Sequence, residues 1–462
     1  MIFERNLHLH FVGVGGVGMS GIAEVLANLG YRVTGTDLHE SEATRRLRAA
    51  GATIFTGGHD AAHLGDADVV VVSSAIPRGN PEVEAARARR IPVIPRAEML
   101  AELMRLRRGV AVAGSHGKTT TTSLLAWLLH EAGADPTVVI GGKVNAFGSN
   151  ARLGQGDLIV AEADESDGSF LVLSPTYAVV TNIDREHLDH YGTFEDLRAA
   201  FAGFVGRVPF YGAAYLCIDD PVVRSLVPEI GKRVVTYGLA EDAEVRAAGV
   251  TVEGTAVAFD LVRHGRHEGR FRLHMPGMHN VQNATGALAL ALDLGADPRV
   301  LQRGLERFAG VQRRFSVRGE AGGVLVVDDY GHHPTEIAAT LQGARASFPE
   351  RRLVAAIQPH RYTRLRDHFD AFVDALGPCD AVFVTEVYPA GETPIPGIDG
   401  ASLARAIAAA RPARPVEFVP EVERLAEALA GAARPGDLVL TLGAGSITRT
   451  SHDLVERIAG AA

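Results

Sequence analysis

Cysteine and lysine are scarce in this chain, and each shortage excludes something. Only two cysteines occur in 462 residues, Cys217 and Cys379, and they stand alone without metal-type spacing. Neither a disulfide framework nor a cysteine-ligated zinc ion is expected. No stretch approaches the roughly 20 uninterrupted apolar residues that a bilayer-spanning helix needs, so no membrane partner is expected. The N-terminus, Met1-Ile-Phe-Glu-Arg-Asn6, runs straight into a strand and lacks the apolar core of a secretion signal; a cytoplasmic location is expected. The formal net charge of −9 comes without a basic patch or stripe, which argues against general nucleic-acid binding. It leaves room for an anionic small substrate, since a phosphate site needs only a few cations and backbone dipoles. Lysine appears only at 118, 143 and 232, which makes a lysine inside a glycine turn conspicuous.

What is present is a soluble composition, 47% apolar and 22% charged, on a chain too long for one ordinary core. The pattern separates into three α/β blocks. The first, residues 1–108, has strand Leu7–Val12, a glycine segment Gly13–Gly21, helix Ile22–Leu29, strand Arg32–Thr36 ending at Asp37, buried strand Asp68–Ser74 and an arginine-rich helix near Ala97–Arg108. The second, 109–313, has an apolar strand from Gly109, a glycine turn, a helix through Leu129, strands Asp157–Ala161 and Tyr177–Asn182, and an antiparallel insertion between Val245 and Leu273. Helices His279–Leu292 and Leu301–Phe308 close it. The third, 314–462, carries strands Val324–Val327, Leu353–Ile357, Ala381–Thr385 and Leu438–Leu442, each followed by a helical pattern. Strands alternating with helices imply parallel sheets, and such sheets place ligands at the carboxyl ends of their strands.

The chemistry-bearing segments fall at those ends. Gly114-Ser-His-Gly-Lys-Thr-Thr-Thr-Thr122 follows a strand and opens a helix. Glycine lets backbone N–H groups approach phosphate oxygens, the helix N-terminus favours anions, Lys118 adds a point charge, and the Thr119 hydroxyl suits Mg²⁺. The loop is a shortened variant, because Val112 stands where the usual spacing has glycine. Gly13-x-Gly15-x-x-Gly18 with Asp37 reads as a diphosphate and ribose site, and Gly16 and Met19-Ser20-Gly21 extend it beyond the dinucleotide pattern. Glu162 ends a strand and suits the same metal ion as Thr119. Asp164, Glu165 and Asp167 fit either further ligands or a solvated turn. His187, past the following strand, suits a second metal role, whereas His190 reads as structural. His332-His333 is a poor zinc site, since adjacent loop side chains seldom chelate one ion. His360, Arg361 and Arg364 suit an amino-acid carboxylate or else form a solvated basic loop. Gly443-Ala-Gly-Ser446 is a weaker ligand-turn signal.

In this order the segments resemble the Mur ligases, and among them the alanine-adding branch. The resemblance runs over nearly the whole length and rests on Gly13–Ala23, Gly114–Thr122, Glu162–Phe170, Asp184–Tyr191, His279-Asn-x-x-Asn283, Asp328–Pro334 and Pro359-His-Arg361. It implies a three-domain α/β enzyme: an N-terminal Rossmann-like domain for the UDP-sugar, a central phosphate-loop ATPase domain, and a C-terminal Rossmann-like domain for the amino acid and ATP contacts. The implied substrates are UDP-N-acetylmuramate, L-alanine and ATP, with two Mg²⁺ ions, on a monomer or weak homodimer. By the same resemblance Lys118, Glu162 and His187 are catalytic, with Thr119, Glu162 and His187 on metal. ATP falls to Gly114, Ser115, His116, Gly117, Lys118, Thr119, Thr120, Asn280, Asn283 and Arg314. The UDP-sugar falls to Gly13, Gly15, Gly16, Gly18, Met19, Ser20, Asp37, Ser73 and Ser74, and the amino acid to Tyr330, His360, Arg361 and Arg364. Two departures stand out: Ser115 replaces the family's more usual threonine, and Phe194–Val205 lacks the lysine that several relatives carbamylate. The alternatives are a ligase that recycles a murein tripeptide onto the same UDP-sugar, and, more remotely, an NAD-dependent oxidoreductase.

Overall fold

The computed structural model describes residues 6–73, 75–145, 147 and 149–461. Its first sheet comprises β1 (His8–Val12), β2 (Arg32–Asp37), β3 (Thr53–Thr56), β4 (Val69–Val72) and β5 (Val93–Pro95), ordered β3-β2-β1-β4-β5 with every pair parallel. The central sheet contains β6 (Arg108–Ala113), β7 (Thr137–Val144), β8 (Ser149–Arg152), β9 (Leu158–Glu162), β10 (Tyr177–Val180), β11 (Ala213–Cys217), β12 (Val234–Gly238), β13 (Val245–Glu253), β14 (Ala256–Arg263) and β15 (Arg266–Leu273). Its order is β15-β14-β13-β12-β11-β10-β6-β9-β7-β8, which sets β6 between the two strands whose ends carry acidic segments. The third sheet has β16 (Ser316–Ala321), β17 (Val324–Asp329), β18 (Arg352–Ile357), β19 (Ala381–Val384), β20 (Val416–Phe418) and β21 (Asp437–Leu442), ordered β16-β17-β21-β18-β19-β20, with β16 antiparallel at the edge.

The sequence of β1, His-Leu-His-Phe-Val, shows how local pattern becomes packing. All five residues are buried, and alternate side chains point to opposite faces. Leu9 and Phe11 join Met19, Ile22, Val25 and Leu26 of the helix Val17–Asn28. His8 and His10 face the other way, into a polar network described below. The hydrophobic cluster holding Leu9 and Phe11 continues through Ala111, Ala113, Ile159 and Ala161 to Phe170, Phe201 and Phe204, so the first and central sheets share one core. Contacts accordingly divide the chain into two compact units: residues 1–248, 260–271 and 282–309, and residues 249–259, 272–281 and 310–462.

The helix after the first glycine turn begins at Val17, earlier than its apolar pattern indicates, because the turn ends at Gly16 and the next glycines are already helical. Cys217 and Cys379 are buried and free, and burial pushes both thiols up to about 12. Among the described residues no helix is long and apolar enough to cross a membrane.

Candidate active site

The phosphate loop leaves β6, a strand with Gly109–Ala113 all buried, and enters the helix Lys118–Glu131. Gly114 has φ +135°, and a Cβ there would lie 2.0 Å from Thr181 Oγ1. Gly117 caps the helix at φ +82°, and a Cβ there would lie 2.5 Å from Asn283 Oδ1. Both glycines are therefore required by close approach as well as by conformation. The segment after β10 stitches the loop in place. The Ser115 N–H donates to the Asn182 carbonyl at 3.0 Å, the His116 N–H to Asn182 Oδ1 at 2.8 Å, and the Thr181 hydroxyl to the His116 carbonyl at 2.6 Å. Ser115 Oγ accepts from the Asp184 N–H at 2.8 Å, a bond that threonine would also make. His116 Nε2 lies 2.9 Å from Asp184 Oδ2.

Lys118 folds back over this loop. Its Nζ donates to the carbonyls of Gly114 (2.6 Å) and Ser115 (3.0 Å) and to Glu165 Oε1 (2.8 Å). Burial alone would lower its ammonium, but Glu165, Glu162 and Asp164 outweigh that and hold it above the usual lysine range. Burial pushes the Glu165 carboxyl up, to about 7, with Lys118 pulling the other way.

Two cation seats follow from the acids. At the end of β9, Glu162 Oε1 accepts from Thr119 Oγ1 at 2.9 Å and Oε2 from the Gly141 N–H at 2.7 Å, so a hydroxyl and a carboxylate share one position beside the loop. The second seat is Glu165, Glu186 and His187, each offering a ligand atom within 4.8 Å of the others. Glu165 is 1% exposed and its Oε2 has no hydrogen-bond partner, an orphan acceptor that a divalent cation would satisfy. His187 reaches it from a left-handed backbone position, φ +58°, with Nε2 3.8 Å from Glu165 Oε1. Asp164 and Asp167 instead close turns, accepting from the N–H groups of Ser166 and Ser169. Sequence reasoning left Glu165 open and missed Glu186; its one signal was adjacency to His187.

In the first sheet the glycine turn hangs from β2. The N–H groups of Gly13 and Val14 both donate to the Thr36 carbonyl at 2.9 Å, and the Gly15 N–H donates to Asp37 Oδ2 at 2.8 Å. Ser73 lies across the crevice, its Cβ 3.7 Å from where a Gly13 Cβ would stand. Ser74 lies outside the described residues. Met19 and Ser20 are buried beneath the turn; Met19 joins the core and the Ser20 hydroxyl donates to the Val17 carbonyl at 3.1 Å. Gly21 serves packing: a Cβ there would lie 3.1 Å from Asn150 Nδ2 and 3.2 Å from Ala151 Cβ, on β8.

Within the second unit, Tyr330 follows β17 and lies under the guanidinium groups of Arg313 and Arg314, at 4.9 and 5.3 Å. His332 stands edge-on to both Tyr330 and His360, and the His360 ring stacks on Tyr388 at 5.4 Å. Arg364 Nη1 is 3.4 Å from His360 Nδ1. Burial pushes His360 down to about 4, reinforced by Arg364 and Arg361, and burial pushes His332 down to about 3. Both rings are neutral at pH 7, beside two permanent cations. Arg361 is held by its N–H on the Tyr388 carbonyl at φ +70°. Tyr388 and His332 are thus partners that sequence reasoning did not assign here. His333 instead begins the helix Pro334–Ser347, accepting from the Thr335 N–H. Asn280 donates to the Pro276 carbonyl at 2.7 Å, and Arg314 pairs with Glu336 at 3.5 Å. The Gly443–Ser446 turn is filled from within: a Cβ at Gly445 would lie 2.5 Å from Gln358 Oε1.

Three family models match in series: "Mur ligase family, catalytic domain" over residues 8–108, "Mur ligase middle domain" over 112–291 and "Mur ligase, glutamate ligase domain" over 313–445. The chain is 59% identical to the UDP-N-acetylmuramate–L-alanine ligase of Anaeromyxobacter dehalogenans, with 98% of each chain covered. It is 56% identical to that of Myxococcus xanthus, covering 97% of this chain and 94% of that one. Its fold matches the crystal structure of the UDP-N-acetylmuramate-alanine ligase of Thermotoga maritima with a TM-score of 0.83 at 30% identity, covering 99% and 100%. A murein peptide ligase from Psychrobacter arcticus gives a TM-score of 0.69 at 26% identity, covering 98% and 99%.

Proposed function

The chain belongs to the Mur ligase family, and from that premise we propose that it is an ATP-dependent ligase joining L-alanine to the lactyl carboxylate of UDP-N-acetylmuramate. It does so in cytoplasmic synthesis of a peptidoglycan precursor, as a monomer or weak homodimer. Residues 1–108 take the UDP-sugar, 109–313 take ATP, and 314–462 take the amino acid and complete the ATP contacts.

The observation that carries this reading is the loop Gly114–Thr119 with Lys118 seated between two acidic cation positions. The lactyl carboxylate attacks the γ-phosphorus of ATP, ADP departs, and an acyl phosphate forms. The neutral amine of alanine then attacks the acyl carbon, and the tetrahedral intermediate expels phosphate. Both reactants of the first step are anions, so charge neutralisation and positioning supply the catalysis. Lys118 contributes a fixed ammonium there. Thr119 with Glu162 would hold one Mg²⁺, and Glu165, Glu186 and His187 a second; bound there, the ions offset the charge of the phosphates and carboxylate. Gly114–Thr120 and Asn283 cradle the nucleotide, with Asn280 and Arg314 on its adenine and hinge sides. The turn Gly13–Gly18 with Asp37 and Ser73 takes the UDP moiety. Arg361 and Arg364 hold the alanine carboxylate, with Tyr330 and the neutral His360 beside it.

Phosphate release from ATP in the presence of UDP-N-acetylmuramate tests the reading, with alanine, glycine, serine and the murein tripeptide compared. Alanine is expected to give the highest kcat/KM. Preference for the tripeptide would make the protein a recycling ligase instead, and release with none of them would reject both.

A further inference from the structure

Arg96 is placed where a helix electrostatic argument puts no cation. It is the first residue of the helix Arg96–Arg105, directly after β5. Its side chain reaches the first turn of the helix Val17–Asn28: a Cβ on Gly18 would fall 2.5 Å from Arg96 Nη1 and 3.1 Å from its Cδ and Cζ. The charge therefore sits beside the positive ends of two helices, each of which favours an anion and opposes a cation. Among the described residues its offset is one long contact, Nη2 to Asp164 Oδ2 at 3.4 Å, and Asp164 keeps 43% of its side chain exposed. Arg96 itself is 27% exposed, so its side chain is partly open to solvent. Glycine at 18 is what admits the fork to this position, since any side chain there would displace it.

A cation held against its local field, offset by one long contact, is placed for an anion that arrives later. Resting on the sugar-nucleotide assignment of the glycine turn, we propose that Arg96 is a specificity-determining residue for the diphosphate of the UDP-sugar, and that Asp164 is its stand-in anion when that site is empty. The planar fork suits two phosphate oxygens at once.

Calorimetric titration of the full-length protein with UDP and with uridine, without turnover, tests this. Arg96→Lys and Arg96→Ala are expected to weaken UDP at least tenfold while changing uridine less than threefold. Asp164→Asn, which removes the competing carboxylate, is expected to tighten UDP severalfold and leave uridine unchanged. Equal losses for UDP and uridine, or unchanged UDP affinity in the arginine variants alongside a lowered melting temperature, would overturn the role and make Arg96 structural. Unaltered or weaker UDP binding in Asp164→Asn would overturn the stand-in role. Failure of the wild-type protein to bind UDP would reject the sugar-nucleotide assignment itself, a separate result.

Discussion

Glu82 has no solvent-accessible side chain, yet both of its oxygens are occupied. Oε2 accepts from the Thr36 hydroxyl at 2.7 Å and lies 3.3 Å from His10 Nε2; Oε1 accepts from the Asp60 N–H at 3.1 Å and lies 3.2 Å from His63 Nδ1. Thr36 is also the residue whose carbonyl holds Gly13 and Val14, so this carboxylate supports the glycine turn from behind. Burial would raise its pKa, but His10, Thr36 and His63 hold it down at about 2 from the ordinary 4.5. A depressed carboxylate contributes stability that is present above the unfolded value and lost as pH falls toward the folded one. Glu82→Ala, which strands several buried donors, is expected to cost roughly 3–5 kcal/mol. In urea melts, the stability gap between wild type and Glu82→Ala should narrow as pH falls from about 4.5 toward 2; a gap that widened over that range would contradict the assignment. Glu186 poses the same kind of question at the catalytic end. Glu186→Gln is expected to raise the Mg²⁺ concentration for half-maximal phosphate release by about tenfold, and an unchanged requirement would remove Glu186 from the seat. Neither glutamate was legible as a partner in sequence, because Glu82 meets His10 across 72 positions and Glu186 gains its meaning only from the buried Glu165.

At the scale of elements, the sequence revealed strands whose two faces are both buried and whose apolar runs are unbroken, such as β6 and β21. It hid β3, β5, β7, β8, β11, β12, β16 and β20. Of these, β7 contains adjacent glycines and β20 is a three-residue edge, so neither carries a periodic apolar signal. The glycine segment Gly13–Gly21 teaches a different lesson. Its length beyond the dinucleotide pattern reads as a ligand signal, but Gly21 is explained by the helix Val17–Asn28 lying on β8, where Asn150 Nδ2 donates to the Val17 carbonyl at 2.6 Å. One motif thus holds two requirements, a phosphate-type turn at its start and a close helix–strand contact at its end. Gly21→Val is expected to overpack this contact and destabilise the first unit by about 1–3 kcal/mol. Thermal unfolding checks the cost; an unaffected midpoint would mean that the helix shifts freely on β8.

At the scale of the whole molecule, the chemistry is distributed over two compact units. Lys118, Glu162, Glu165, Glu186, His187 and the glycine turn belong to the first, and Tyr330, His360, Arg361 and Arg364 to the second. Each unit has its own buried core, the first built around Leu9, Phe11, Phe170 and Phe204 and the second around Leu325, Val327, Leu353 and Phe372. Two separate cores permit relative motion without unfolding. The proposed reaction requires the alanine amine to reach the acyl carbon within bonding distance, and an acyl phosphate left open to water would hydrolyse. Closure around the ligands before chemistry answers both needs. Small-angle scattering of the protein with a non-hydrolysable ATP analogue and UDP-N-acetylmuramate together is expected to give a smaller radius of gyration than the free protein, with either ligand alone giving less of the change. Identical scattering in all four states would show that the sites are assembled without closure, and water would then have to be excluded by the loops around Lys118 and His360 alone.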